Sequence, residues 1–132
     1  MRLLDTDVCI ELLRGNPRVA QRRSVTSGRV GTTWMTAAEL YYGAEKSADP
    51  HHNRQLVAKL LGTLPLLRPG GTAARRFGVL KATLEGMGQR LADADLIIAS
   101  ICLAHDAVLV TGNLGHYTRI PGLLTEDWIR GD

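Results

Sequence analysis

Five carboxylates, Asp5, Asp7, Glu39, Asp93 and Asp95, stand beside short apolar segments in a chain of 132 residues. Acidic side chains drawn from separate parts of a chain can share a divalent cation. A hard ion held by oxygen ligands polarises a phosphate and generates a nucleophilic water, so the chemistry open to such a set is phosphodiester or phosphate-ester hydrolysis. Other patterns of metal or nucleophile are missing. Cys9 and Cys102 lie in apolar runs with no C-x-x-C spacing, and read as reduced thiols packed as small hydrophobes. His51, His52, His105 and His116 lack the spacing of a zinc site.

The elements that must position these acids can be read from the apolar pattern. Leu3-Leu4 is a short strand that stops at Asp5, and Val8, Cys9, Ile10, Leu12 and Leu13 then form the apolar set of a buried helix. A strand ending in Asp and turning straight into a helix puts that Asp at the carboxyl edge of a sheet, where open α/β folds keep their ligands. Taken one at a time, the acids also fit helix capping. Asp5 or Thr6 would cap the first helix, Asp7 would favour its positive end, Asp93 would cap the buried helix, and Thr36-Ala37-Ala38-Glu39 has the pattern of a capping box. Asp95 is harder to explain so. Residues 96–104 are apolar on nearly every side, which predicts a buried helix, and an unpaired charge there costs several kcal/mol. No Lys or Arg lies within that helix, and a cation shared by Asp5, Glu39 and Asp95 would supply the compensation.

The remaining elements alternate. Gly15-Asn16-Pro17 stops the first helix and starts a basic one over residues 18–27, and a strand is expected over 30–34. A helix from Thr36 to about residue 47 and another over 51–61, broken at Asp49-Pro50, predict a helical hairpin. A strand over 64–67 follows. Ala73, Phe77, Leu80, Leu84 and Met87 recur at helical steps, and residues 107–111 are apolar on both faces, as in a central parallel strand. Leu123-Leu124 is the candidate edge strand. This order implies one α/β domain over residues 1–132, with a mostly parallel sheet of about four to five strands flanked by helices.

Hydrophobic residues make up 45% and charged residues 22%, the balance of a globular protein. No apolar run reaches the roughly 18 residues of a membrane span, and no signal-peptide pattern precedes the first strand, so the expected location is the cytoplasm. Net charge is +3, from 16 basic and 13 acidic residues, and only Lys46, Lys59 and Lys81 are lysines. If the five acids converge, the rest of the surface is strongly basic. An arginine surplus suits phosphate recognition, and genomic base composition accounts for it equally well.

Leu3-Leu4-Asp5-Thr6, Thr36-Ala-Ala-Glu39-Leu-x-x-Gly43, Ala92-Asp-Ala-Asp95-Leu-Ile-Ile-Ala99 and Val110-Thr111-Gly-Asn113 together resemble the PIN-domain ribonucleases, most closely the VapC-type toxins of toxin–antitoxin pairs. Ile120-Pro121-Gly122-Leu123 with Trp128 is similar to the family's usual end. The resemblance spans nearly the whole chain in the right order. It implies a three-layer PIN-like fold and a Mg²⁺- or Mn²⁺-dependent endoribonuclease acting on structured RNA such as tRNA, by in-line attack of water. It also implies a homodimer and an antitoxin whose tail covers the acidic site. Carried over, Asp5 and Asp95 are direct metal ligands and Glu39 completes the acidic core. The family's fourth acid is Asn113 here, so contact at that position would run through an amide or a water, and Asp93 or Asp7 could substitute for it. Tyr41, His116 and Arg119, with Tyr42 and Tyr117, are candidates to hold RNA at the mouth of the site, although core packing or plain exposure also accounts for each.

Two rival readings remain at this level. Asp5-Thr6-Asp7 also fits the start of haloacid-dehalogenase-like phosphatases, with Asp5 as nucleophile, Asp7 as acid and Thr36 as the later hydroxyl; Glu39 would then be idle. A basic module that binds RNA without cutting it would use the acids only as caps.

Overall fold

Both side chains of the strand β1 (Arg2–Leu4) that face the interior, Leu3 and Leu4, are fully buried, and they point into different cores. This places β1 in the middle of a sheet covered on both sides. The computed structural model describes residues 1–131. In it β1 is followed by α1 (Thr6–Leu13), α2 (Pro17–Val25), β2 (Val30–Thr33), α3 (Trp34–Glu45) and α4 (Pro50–Leu61). Then come β3 (Leu66–Leu67), α5 (Gly71–Gly86), α6 (Asp93–Ala104), β4 (Val108–Val110), α7 (Leu114–Tyr117) and β5 (Thr125–Glu126).

The five strands form one sheet in the order β3-β2-β1-β4-β5, and every neighbouring pair is parallel. The chain winds outward from β1 to β2 and β3, then returns to lay β4 and β5 on the other side. The reversal falls between β1 and β4, which is the switch point where α/β sheets open a crevice beyond their carboxyl ends. Leu4 is in register with Thr32 and with Val110, so the residues that follow, Asp5, Thr33 and Thr111, come to one edge. The Asp5 N–H donates to the Val110 carbonyl at 2.8 Å.

Leu3 belongs to a core with Leu80 and Leu84 of α5, Leu96, Ile98 and Ile101 of α6, and Tyr117. Leu4 belongs to the other, with Val8 and Cys9 of α1, Val19 of α2, Leu40 of α3, Val57 of α4 and Trp128. Both cysteines are free and buried, and burial pushes each thiol up to about 12. The helical hairpin is present: Asp49 caps α4 by accepting from His52 N–H, and Arg54 pairs with Glu45 across the turn at 2.7 Å.

Four local expectations are corrected. The cap of α3 is Thr33 rather than Thr36, because β2 ends one residue before the helix and the Thr33 hydroxyl accepts from Thr36 N–H at 3.1 Å. Glu39 therefore lies in the middle of α3 and closes no capping box. Asp93 does not cap α6; the cap position is Ala92, with no side-chain bond. The edge strand is Thr125–Glu126 and not Leu123-Leu124, since pairing with β4 and the ion pair of Glu126 with Arg2 at 2.8 Å set its register, leaving Leu124 exposed. The third strand is shorter than its apolar run, with the Pro65 carbonyl receiving Thr32 N–H ahead of it.

Candidate active site

Asp5 is both the residue after β1 and the cap of α1, and it is only 3% exposed. Its Oδ1 accepts from Thr6 N–H at 2.8 Å and its Oδ2 from the Thr111 hydroxyl at 2.8 Å. Burial, reinforced by the negative charge of Asp7 and of Asp95, pushes its carboxyl up to about 6 in spite of those two bonds. The fold thus holds a carboxylate where ionisation is penalised, a situation that a bound cation reverses.

Asp95 stands in the first turn of α6, immediately before the buried stretch that the sequence marks out. The Tyr117 hydroxyl donates to its Oδ1 at 3.3 Å, and His116 Nδ1 lies 3.3 Å from its Oδ2. Tyr117 is almost fully buried, and burial together with the carboxylates of Asp5 and Asp95 raises its phenol well above the ordinary range, so it stays a donor. Glu39 comes in from α3. The Thr6 hydroxyl donates to Glu39 Oε1 at 2.6 Å, and the Thr6 and Thr36 hydroxyl oxygens are 3.2 Å apart. Each of the three acids is thus held by a hydroxyl: Thr111 for Asp5, Tyr117 for Asp95, Thr6 for Glu39.

The other nominated acids do different things. Asp93 is exposed and paired with Lys81 at 3.0 Å on the α5 side, because helical geometry turns it away from Asp95. Asp7 is turned to the loop after β4, where its Oδ2 accepts from Gly112 N–H at 2.8 Å; burial, the largest influence, leaves its carboxyl raised. The opposite side of that loop is gripped by Arg130, whose Nη1 donates to the Gly112 carbonyl at 2.6 Å and pairs with Asp127 at 3.1 Å. Asn113 follows at the start of α7; its N–H donates to Thr111 Oγ1 at 3.0 Å, and its side chain makes no capping bond.

Of the residues nominated for RNA contact, only His116 and Tyr117 touch an acid of this set, and Tyr117 does so from the core rather than from the mouth. Arg119 donates to the Arg90 carbonyl and lines a groove of about 520 Å³ against α5, with Arg75 and Arg76. Tyr41 and Tyr42 are exposed on α3, where Lys46 lies over the Tyr42 ring. Thr6, Thr111 and Tyr117 as holders of the acids went unrecognised in the sequence. The signal for the first two was there: each adjoins a nominated carboxylate or ends a central strand.

No Lys or Arg forms an ion pair with Asp5, Glu39 or Asp95 among the described residues. Nor do any three His, Cys, Asp or Glu side chains stand close enough together there to cage an ion. A soft or tightly caged metal does not fit this donor set. A Mg²⁺-like ion does, since it takes one or two carboxylates and keeps the rest of its shell as water. The charge of Asp95 reaches Asp5, and Glu39 accepts from Thr6 through Oε1.

Residues 2–121 match the PIN domain family. Among curated proteins the chain is 33% identical to Ribonuclease VapC2 of Haemophilus influenzae, over 96% of this chain and 97% of that one. It is 32% identical to a tRNA(fMet)-specific endonuclease VapC of Shigella flexneri, over 96% of each. Among solved structures it superposes on a chain of VapBC2 from Rickettsia felis, bound to a DNA fragment from their promoter, with a TM-score of 0.91 and 27% identity. That match covers 96% of this chain and 98% of the other.

Proposed function

The chain belongs to the PIN-domain family, as a relative of the VapC ribonucleases, and from that premise we propose that it is a toxin endoribonuclease cutting RNA phosphodiester bonds with Asp5, Asp95 and Glu39. One observation carries the assignment of the site. At the switch point between β1 and β4 a buried carboxylate, Asp5, lies within the field of Asp95, and no Lys or Arg of the described residues forms an ion pair with either.

Asp5 and Asp95 would hold a Mg²⁺ or Mn²⁺ ion, with Glu39 and Asn113 reaching its shell through water. Such an ion supplies a Lewis acid for the phosphate and lowers the pKa of a water. The chain's own contribution is positional. Thr111 and the Thr6 N–H fix Asp5, Thr6 fixes Glu39, and the partly exposed Asp95 and His116 give the RNA backbone a way in. His116, exposed beside Asp95, is the substrate contact favoured over Tyr41 and Arg119.

The name of the Shigella relative supports a tRNA substrate, and the VapBC complex from Rickettsia supports an antitoxin partner. An apolar groove of about 390 Å³ between α1, α3 and α4 runs up to Glu39, and it suits a partner segment that covers the acids. A homodimer and a cytoplasmic location complete the proposal.

The phosphatase rival loses its support, because Asp7, its acid, is spent on Gly112 N–H and Glu39, which it leaves idle, is tied into the site by Thr6. Capping accounts for Asp5 and not for Glu39, Asp93 or Asp95. The decisive experiment incubates the purified chain with total tRNA and Mg²⁺ and sequences the new RNA ends. Cleavage that EDTA and Asp5→Asn both abolish is expected. Cleavage retained by Asp5→Asn defeats the assignment, and a chain that stays monomeric at micromolar concentration removes the dimer.

A further inference from the structure

Resting on the metal-nuclease reading above, we propose that Tyr117 is a positioning residue that holds Asp95 in its ion-binding orientation, a role separate from its place in the core. Tyr117 closes the four-residue helix α7, and its ring is 1% exposed in the cluster formed by β1, α5, α6 and β4. A ring clamped in that way has little freedom, and its hydroxyl is a fixed point. That point falls 3.3 Å from Asp95 Oδ1, and it also lies against the Asp5 carboxylate.

The other two hydroxyls of the site sit on threonines close to the backbone, at the start of α1 and just past β4. Asp95 has no such neighbour. It lies in the first turn of α6, where Ala92 at the cap position offers no side-chain bond, and its second oxygen faces only the half-exposed His116. Without the phenol, the half-exposed His116 would be left to hold the Asp95 carboxylate. With it, one oxygen is tied inward and the other is turned to the crevice that Asp5 also borders.

A tyrosine buried for packing alone would serve as well without its hydroxyl. Phe fills the same volume and leaves no polar atom to satisfy, so Tyr117→Phe separates the two roles. Hydrogen bonds from outer residues to metal-binding carboxylates orient them, and their loss typically weakens metal affinity about 10- to 100-fold.

The test is a Mn²⁺ titration, followed through the EPR signal of free Mn²⁺, on the wild-type chain, Tyr117→Phe and Asp5→Asn, with metal-free thermal unfolding alongside. The expected result is a loss of Mn²⁺ affinity in Tyr117→Phe within that range, at a metal-free midpoint close to wild type. Affinity within about twofold of wild type overturns the proposal, provided that Asp5→Asn abolishes binding. If the wild type binds no Mn²⁺, or Asp5→Asn binds as the wild type does, the metal-nuclease reading itself falls and takes this role with it. A second measurement needs no variant at position 117. With ¹³Cζ-labelled tyrosine the chain has three such resonances, and those of Tyr41 and Tyr42 are identified by Phe substitution. The Tyr117 resonance should shift as Mg²⁺ saturates the site; a resonance that stays put while Mg²⁺ binds overturns the proposal even if Tyr117→Phe does not fold.

Discussion

The Thr6 hydroxyl donates to Glu39 Oε1 at 2.6 Å, tying the first residue of α1 to the middle of α3 directly beside Asp5. This bond turns a glutamate that would otherwise swing freely into a fixed wall of the crevice.

Thr6→Val should free Glu39 and lower kcat for RNA cleavage roughly 10- to 100-fold while leaving KM nearly unchanged, and Thr6→Ser should restore most of the loss. The stability cost should be about 1 kcal/mol, read by urea denaturation. Equal activity of Thr6→Val and wild type would show Glu39 to be outside the machinery.

Burial pushes the Asp5 carboxyl up to about 6 in the fold, against 3.8 for an ordinary aspartate. The folded chain therefore holds this proton more tightly than the unfolded chain. Its contribution is fully present below about pH 4 and is lost as pH rises through about 6, a change of roughly 3 kcal/mol as an upper bound. In EDTA, Asp5→Asn should be more stable than wild type at pH 8, and the difference should shrink towards pH 4. Adding Mg²⁺ at pH 8 should stabilise wild type and not the variant. Denaturant titrations at the two pH values check both statements.

Asp93 and Asp95 are two residues apart and should behave oppositely. Asp95→Asn should reduce cleavage by more than the about 100-fold that loss of an outer partner costs. Asp93→Asn breaks an exposed pair with Lys81 and should leave cleavage unchanged. Side-by-side rates on the same tRNA pool decide the matter.

A Cβ at Gly112 would come within 2.9 Å of both Asp7 Oδ2 and Ile129 Cδ1. The oxygen cannot retreat without losing its bond from Gly112 N–H, so Gly112→Ala should cost about 1–3 kcal/mol in urea denaturation. Gly115→Ala, three residues on in α7 with open space around it, is the control and should be neutral or slightly stabilising.

The strand–Asp–helix pattern at Asp5 and the apolar helix behind Asp95 were legible because each depends on side chains near in sequence. Sheet edges were less so. Apolarity nominated Leu123-Leu124, yet β5 formed two residues later, where Glu126 could reach Arg2 from the far end of the chain. The Thr-x-x-Glu pattern at Thr36 misled for a related reason: a capping box needs a helix start, and β2 runs on to Thr33 through its pairing with Leu67 of β3. The holders of the acids were hidden by distance. Thr111 is 106 residues from Asp5 and Tyr117 is 22 from Asp95, so only the parallel register and the packing of α7 reveal which hydroxyl serves which acid.

β1 has a further consequence. Its adjacent residues Leu3 and Leu4 enter separate cores, and Asp5 is the next residue along. The strand acts as a septum common to both helix layers, with the buried acid mounted on its rim. Repacking on either face of the sheet, by mutation or by a docking partner, therefore presses on the one backbone segment that carries this acid, and two surfaces on opposite sides of the molecule share a single point of leverage on its chemistry.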